Sequence, residues 1–386
     1  MFNIGIITFH ESDNYGTCLQ AYAMTQIIEN LGYSAKIIPY SRIMDTKKVN
    51  HTVIEYVQYV LKVYGIRNLC LKKTIQNAYD LRKSLFENFR RSRLVYGDGE
   101  FTDFKELEKS EFTYDAYVCG SDMIWSHDRV DDLSVYFLQF VKKGKRIAFS
   151  PSFGSSTLRG YSELELKKYI SEMVFLSCRE QSGIEIIKKF TDSNVVHTAD
   201  PTLLLKPSDW NKVSKDICLG RKYILVYLFE GIPTWAKNVV DDIAQNMNVD
   251  IIEIPMTIKQ YANNIRKKIQ PIGPEEFVGV IKNAEFVITN SYHGLMFSLI
   301  FRKPFYVLER DNHSEWGRYE DRLLSALRHF HCEDRYLTEK EKTLINLKVT
   351  MDYTKIENSI EALVNTSTHY LEEVLKEATR TVENYD

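Results

Sequence analysis

Arginine, histidine and carboxylate residues recur directly after short apolar runs of this chain, where a polar side chain can face a ligand. Arg179 follows the run 174–178, and its planar fork suits a carboxylate or a phosphate. A simple ion pair with Glu180 is the plainer alternative. His293 stands in Asn290-Ser291-Tyr292-His293-Gly294 after the run 286–289. Asn290 or Ser291 can cap a helix there, which sets His293 in its first turn beside free N–H groups that attract phosphate. A structural histidine bonded to nearby backbone is the alternative. Asp122 and Trp125 follow the run 116–120. A carboxylate accepts from sugar hydroxyls and an indole covers an apolar sugar face. Alternatively, Asp122 is an N-cap and Trp125 a core residue.

Two further groups belong to this set. His10-Glu11-Ser12-Asp13-Asn14-Tyr15-Gly16 is a polar loop leading into a helix from Thr17. It offers Asn14, Tyr15 and helix-start N–H groups to an anion or a hydroxyl, or it is an ordinary turn. A single glycine excludes a GxGxxG nucleotide loop. Arg318 and Arg322 are four apart, share a helix face and suit phosphate together, unless they pair with Glu315, Glu320 or Asp321. Arg310 lies just upstream. No GxxxxGK[ST], HExxH, GxSxG or DFG set occurs. Arginines, one histidine at a helix start and an Asp/Trp pair suit an anionic donor and a polyhydroxyl acceptor, without metal chemistry.

Such residues must be held at strand ends. Short β-branched and aromatic runs occupy 4–9, 35–40, 116–120, 147–150, 174–178, 223–229, 250–254, 286–289 and 305–308. Several lack alternation, as strands buried on both faces of a parallel sheet do. Amphipathic stretches lie between them. Leu19, Ala23, Ile27 and Leu31 repeat every four residues, and Gly32 follows where a helix-ending glycine belongs. Strand–helix alternation of this kind predicts an α/β fold with right-handed crossovers. Two prolines near Pro207 mark a boundary, so two α/β units of similar size face each other across a cleft. One long amphipathic helix is expected from 353 to 384, packing back across the units. Residues 42–96 interrupt the rhythm as a helical insertion with 12 basic and 4 acidic residues. That excess suits an anionic partner such as a lipid-linked phosphate at a membrane face, or it is a solvated helix surface.

Composition narrows the classes. The chain has 386 residues, 50 basic and 52 acidic, for a net charge of −2. Near-neutrality excludes a globally basic nucleic-acid binder. The opening residues read as a strand rather than a signal peptide. The longest apolar stretch, 295–301, is far short of the ~20 residues that span a bilayer. A cytoplasmic protein is expected, with its six cysteines as buried, reduced thiols, since no CxxC occurs.

These motifs, in order, resemble the polysaccharide pyruvyl transferase family. The resemblance is carried by residues 4–40, Gly120-Ser121-Asp122-Met123-Ile124-Trp125, the segment Ser150-Pro151-Ser152-Phe153-Gly154 and Ser177-Cys178-Arg179-Glu180. It continues through Asp200-Pro201-Thr202, Thr289-Asn290-Ser291-Tyr292-His293-Gly294 and Lys303-Pro304-Phe305, covering roughly residues 1–330. Met123 stands where the family often has glutamine, and Asp321-Arg322 where it has a serine–arginine pair. The resemblance implies a glycosyltransferase-B-like fold of two Rossmann-like domains, here 1–206 on the acceptor side and 207–386 on the donor side. It implies transfer of pyruvate from phosphoenolpyruvate to two sugar hydroxyls, giving a cyclic ketal and phosphate, with no cofactor. His293 and Asp122 are then the proton-transfer candidates. Arg179, Arg318, Arg322, Asn14, Tyr15, Trp125, Asn290 and Ser291 are the substrate contacts. The acceptor is a sugar or oligosaccharide, free or lipid-linked. A nucleotide-sugar glycosyltransferase and a non-catalytic member of a glycan-synthesis complex are the competing readings.

Overall fold

The computed structural model describes residues 1–41, 69–130, 132–158, 160–257, 259–261, 271–310, 321–340 and 349–380. Two parallel sheets organise them. The first contains β1 (Asn3–Ile7), β2 (Ser34–Ile37), β3 (Ala116–Cys119) and β4 (Lys145–Ala148) in the order β2-β1-β3-β4. β5 (Leu176–Cys178) and β6 (Val195–His197) pair with each other, and a parallel bridge from Ile147 to Phe175 joins them to β4. The second sheet contains β7 (Tyr223–Tyr227), β8 (Asp250–Glu253), β9 (Phe286–Thr289), β10 (Phe305–Leu308) and β11 (Tyr336–Leu337). Its order is β11-β10-β9-β7-β8. Counted from its own first strand, each sheet runs second, first, third, fourth, and the second sheet adds a fifth strand. In both sheets the order reverses beside the first strand, between β1 and β3 and between β7 and β9. Ligand crevices of open α/β sheets form at such points, outside the carboxyl ends of the strands.

Period-two side-chain alternation assigns each sheet face to a separate core. Ile4 and Ile6 of β1 and Tyr223, Leu225 and Tyr227 of β7 enter one cluster common to both sheets. Ile7 and Phe9 turn to a second cluster on the far face of the first sheet. Ile224 and Val226 turn to a third on the far face of the second. The shared cluster is filled by the first helix (Tyr15–Asn30), by the helices Pro274–Asn283 and Tyr292–Ile300, and by the C-terminal helix (Thr354–Arg380). The first helix is buried nearly all round, so its apolar residues exceed one stripe. It ends at Leu31, with Gly32 at φ +91° taking the left-handed turn.

The C-terminal helix ties both halves together. Near its start, Tyr353 Oη donates to the Lys303 carbonyl at 2.6 Å. Further along, Ser367 Oγ accepts from the Ala199 N–H at 2.7 Å and Tyr370 Oη donates to the Ala148 carbonyl at 3.2 Å. Its expected residues 381–384 lie outside the described ones.

The basic insertion is only partly described; its residues 42–68 lie outside. The helix Leu69–Arg93 contains the rest, and several of its arginines face inward. Arg82 is 2% exposed, donates to Tyr15 Oη at 3.3 Å and lies over the Phe86 ring. Arg90 pairs with Asp13 at 3.0 Å and Arg93 with Glu275 at 2.8 Å. Each of these three charges has a partner in the body of the protein and so helps hold the described part of the insertion to it. Among the described residues, no helix is long and apolar enough to cross a membrane.

Candidate functional site

The strand ends converge on a buried group of charges. Arg179 and Glu180 follow β5, Asp200 follows β6, Asp122 follows β3, and His293 lies in the first turn of the helix after β9. Arg322 comes from the helix Asp321–His329. All six are at most 6% exposed.

Local sequence explains each placement. Ser291 caps the helix Tyr292–Ile300 by accepting from the Gly294 N–H at 3.3 Å, which fixes His293 as the second helical residue. The His293 Nε2 lies 3.5 Å from Asp200 Oδ2, an ion-pair distance rather than a closed hydrogen bond. On its other side the ring abuts Gly16, where a Cβ would lie 1.9 Å from Nδ1. Asp122 has φ +69°, an uncommon left-handed conformation for a residue with a side chain. There its Oδ2 accepts from Thr17 Oγ1 at 2.9 Å and its Oδ1 from the Met123 N–H at 2.8 Å.

Arg179 is the centre of the group. Its Nη1 donates to Asp200 Oδ2 at 2.8 Å, its Nη2 lies 3.8 Å from Glu180 Oε1, and its guanidinium sits 4.2 Å from the Tyr292 ring centroid. Among the described residues, no acceptor lies within hydrogen-bond reach of Nε or Nη2, although the side chain is 0% exposed. Arg322 approaches the same Tyr292 ring at 5.9 Å.

Burial and charge work against one another here. Burial alone would raise the Asp122 carboxyl; His293, Arg179 and Arg322 pull it below its ordinary value. Burial likewise opposes ionisation of Asp200, and His293 and Arg179 overcome it, so Asp200 is held far below the usual carboxylate range. Glu180 goes the other way: burial outweighs Arg179 and the Ser152 hydroxyl, and its carboxyl is raised. Burial and the neighbouring Arg179 together lower the Arg322 guanidinium to about 10. Two cations forced together in a dry pocket are relieved by an anion.

His293, Asp122, Arg179 and Arg322 are thus brought together as expected from sequence. Other expected contacts are not. Trp125 is fully buried, stacks on Phe137 at 4.3 Å and donates Nε1–H to the Tyr136 carbonyl at 3.0 Å, so its ring fills the core instead of covering a sugar. Tyr15 is also buried; it stacks on Phe277 at 4.4 Å, and its hydroxyl is engaged by the Ile272 carbonyl and Arg82. Asn14 Oδ1 caps the first helix, accepting from the Gly16 N–H at 2.9 Å. Asn290 Oδ1 accepts from the Phe229 N–H at 3.0 Å, and its carbonyl accepts from Arg310 Nε at 2.9 Å. Asn14, Asn290 and Ser291 therefore build the turns, their side-chain acceptors being occupied by backbone. Arg318 lies outside the described residues. Sequence reasoning pairs Glu180 with Arg179, as the structure does at 3.8 Å, but names Asp200 only within the Asp200-Pro201-Thr202 motif and does not bring it into the charge group. The one sequence signal for Asp200 is its place as a helix cap before Pro201, since β6 ahead of it is too short to read.

The family model described as polysaccharide pyruvyl transferase matches residues 14–312. Among solved structures, UDP-GlcNAc 2-epimerase from Methanocaldococcus jannaschii is 13% identical with a TM-score of 0.51. The alignment covers 97% of this chain and 100% of that one. UDP-GlcNAc 2-epimerase from Neisseria meningitidis, bound to UDP-GlcNAc, is 12% identical with a TM-score of 0.45, over 97% and 100% of the two chains. At such identity the likeness concerns the fold, which is glycosyltransferase-B-like. A search of curated proteins finds no match.

Proposed function

Since the chain belongs to the polysaccharide pyruvyl transferase family, we propose that it transfers pyruvate from phosphoenolpyruvate to two hydroxyls of a sugar, forming a cyclic ketal and releasing phosphate. The observation that supports this best is the edge of Arg179. Nε and Nη2 are the two parallel donors of one side of a guanidinium, matched to two oxygens of a carboxylate or phosphate. In Arg179 both are buried without an acceptor among the described residues, while Nη1 is engaged by Asp200. An enol ester bearing a carboxylate and a phosphate satisfies them.

The atoms balance as follows. A proton is added to the methylene carbon, making the methyl group and an oxocarbenium-like centre at the adjacent carbon. One sugar hydroxyl attacks that carbon, the bond to the bridging oxygen breaks, and phosphate leaves with that oxygen. The second hydroxyl closes the ketal. Of the two hydroxyl protons released, one replaces the proton given to the methylene carbon and the other ends on phosphate. In this reading His293 supplies the proton or holds the phosphate at its helix start, with Arg179 and Arg322 holding the anionic groups. Asp122, kept ionised by its cationic neighbours, accepts from the attacking hydroxyl.

The test is to mix the full chain with phosphoenolpyruvate and a panel of methyl hexopyranosides and oligosaccharides. Phosphate release and a new ketal methyl signal in the proton spectrum are expected. No phosphoenolpyruvate-dependent product, with consumption of a nucleotide sugar into a glycoside instead, overturns the proposal.

A further inference from the structure

We infer that Asp200 is the positioning residue of this site: through one carboxylate oxygen it sets the roll of the Arg179 guanidinium and the seat of the His293 ring together. The inference rests on the pyruvyl-transfer reading and names a group that reading does not use.

Asp200 Oδ2 lies 2.8 Å from Arg179 Nη1, 3.5 Å from His293 Nε2 and 3.3 Å from Ser121 Oγ. Its other oxygen is fixed separately. Oδ1 accepts from the Thr202 N–H at 3.0 Å and the Thr202 hydroxyl at 2.7 Å, at the start of the short helix that begins with Pro201. The carboxylate is 0% exposed, so no water competes for it. A group clamped on one oxygen by backbone cannot follow its partners; its partners follow it. By engaging Nη1, Asp200 turns the Nε/Nη2 edge of Arg179 away from itself and leaves that edge for a ligand. By drawing Nε2, it holds one edge of the His293 ring, while the other edge rests in the space left open by the missing side chain of Gly16. His293 comes from the second sheet, and Arg179 and Asp200 from the β5–β6 pair. One oxygen therefore registers a residue of the second half against residues of the first. Asp200 itself has no donor to offer an anionic substrate, which is why its role is exerted through the other two.

The substitution Asp200→Asn keeps an acceptor for Thr202 and removes the charge. Phosphate release from phosphoenolpyruvate is measured with a methyl hexopyranoside that the wild type accepts. We expect kcat to fall about 100-fold while the KM for phosphoenolpyruvate stays within about threefold, since losing a nearby negative charge offsets the looser guanidinium. Unchanged kcat overturns the inference. A parallel change in kcat and KM with a lowered Tm, the pattern of a merely structural group, also overturns it. Should Asp200→Asn not fold, Thr202→Val removes one bond to Oδ1 and keeps the charge. It is expected to lower kcat roughly fivefold at constant KM, and an unchanged kcat overturns the inference. A wild type that releases no phosphate from phosphoenolpyruvate fails the pyruvyl-transfer reading instead. The role of Asp200 is then decided by the Tm losses of Thr202→Val, His293→Gln and the pair, where strict additivity overturns it.

Discussion

Gly16 and His293 meet at the start of two helices from opposite halves of the protein, so closely that a methyl group on Gly16 would sit 1.9 Å from His293 Nδ1. Gly16 has an ordinary helical backbone, so the glycine is required by the approach of the ring rather than by an unusual dihedral. Gly16→Ala should therefore displace His293 or part the helices. A displacement of about 1 Å lowers turnover roughly 100-fold. The check is steady-state phosphate release by the folded variant, and wild-type turnover would refute the contact's importance.

Arg179→Lys keeps the charge and loses the paired Nε/Nη2 edge. Its KM for phosphoenolpyruvate should rise at least tenfold, and calorimetric titration with phosphoenolpyruvate should show the same loss. Equal affinity in the lysine variant would mean that charge alone suffices there.

Trp125→Ala should lower stability by about 3–5 kcal/mol, the usual effect of emptying a buried aromatic site. Trp125→Phe, which keeps a ring in the core, should leave the KM for the sugar acceptor unchanged. A selective rise in that KM would restore the indole to the acceptor site.

His329 and His197 lie with ring centroids 4.9 Å apart beside Arg179, and His197 Nε2 is 3.0 Å from the Arg179 carbonyl. Burial first, then the neighbouring His197 and His331, lower His329 to about 4, and burial also lowers His197. A base whose folded value is depressed binds its proton less well than in the unfolded chain. Its contribution is present above about 6.5 and is lost as pH falls toward 4. Tm should fall over that window, and His329→Gln should flatten the fall. Glu180, raised by burial, acts in the opposite direction, so the difference between wild type and variant is the quantity to read.

Ser367→Ala leaves the buried Ala199 N–H without its acceptor. A loss of about 1–3 kcal/mol is expected from denaturant unfolding, with a fall in turnover, because Ala199 precedes Asp200. Unchanged stability would show that the backbone finds another partner.

Most strands were legible because they lie within continuous apolar runs such as 223–229, which the structure narrows to Tyr223–Tyr227. β6 and β11 were not, since three and two residues are too short to show a period. His293, Arg179, Asp122 and Arg322 could be found from position after a strand or spacing on a helix. Asp200 could not, because its partners come from distant segments. Trp125 shows the reverse failure. Adjacency to Asp122 suggested a shared site, but the left-handed turn at Asp122 carries the chain back and delivers Trp125 to the far core. The inward arginines of the insertion escaped a charge count for the same reason, since counting does not reveal Asp13 or Glu275 beneath them.

The shared cluster also has a consequence for the order in which the protein is made. Ile4, Leu19 and Phe149 bury themselves against Leu371, Val374 and Leu375 in one cluster. At about 5–20 residues per second, the ribosome supplies those last residues roughly ten to forty-five seconds after the first sheet is complete. Until then the nascent first half has an open apolar face, and it is in that interval that the chain most needs a chaperone.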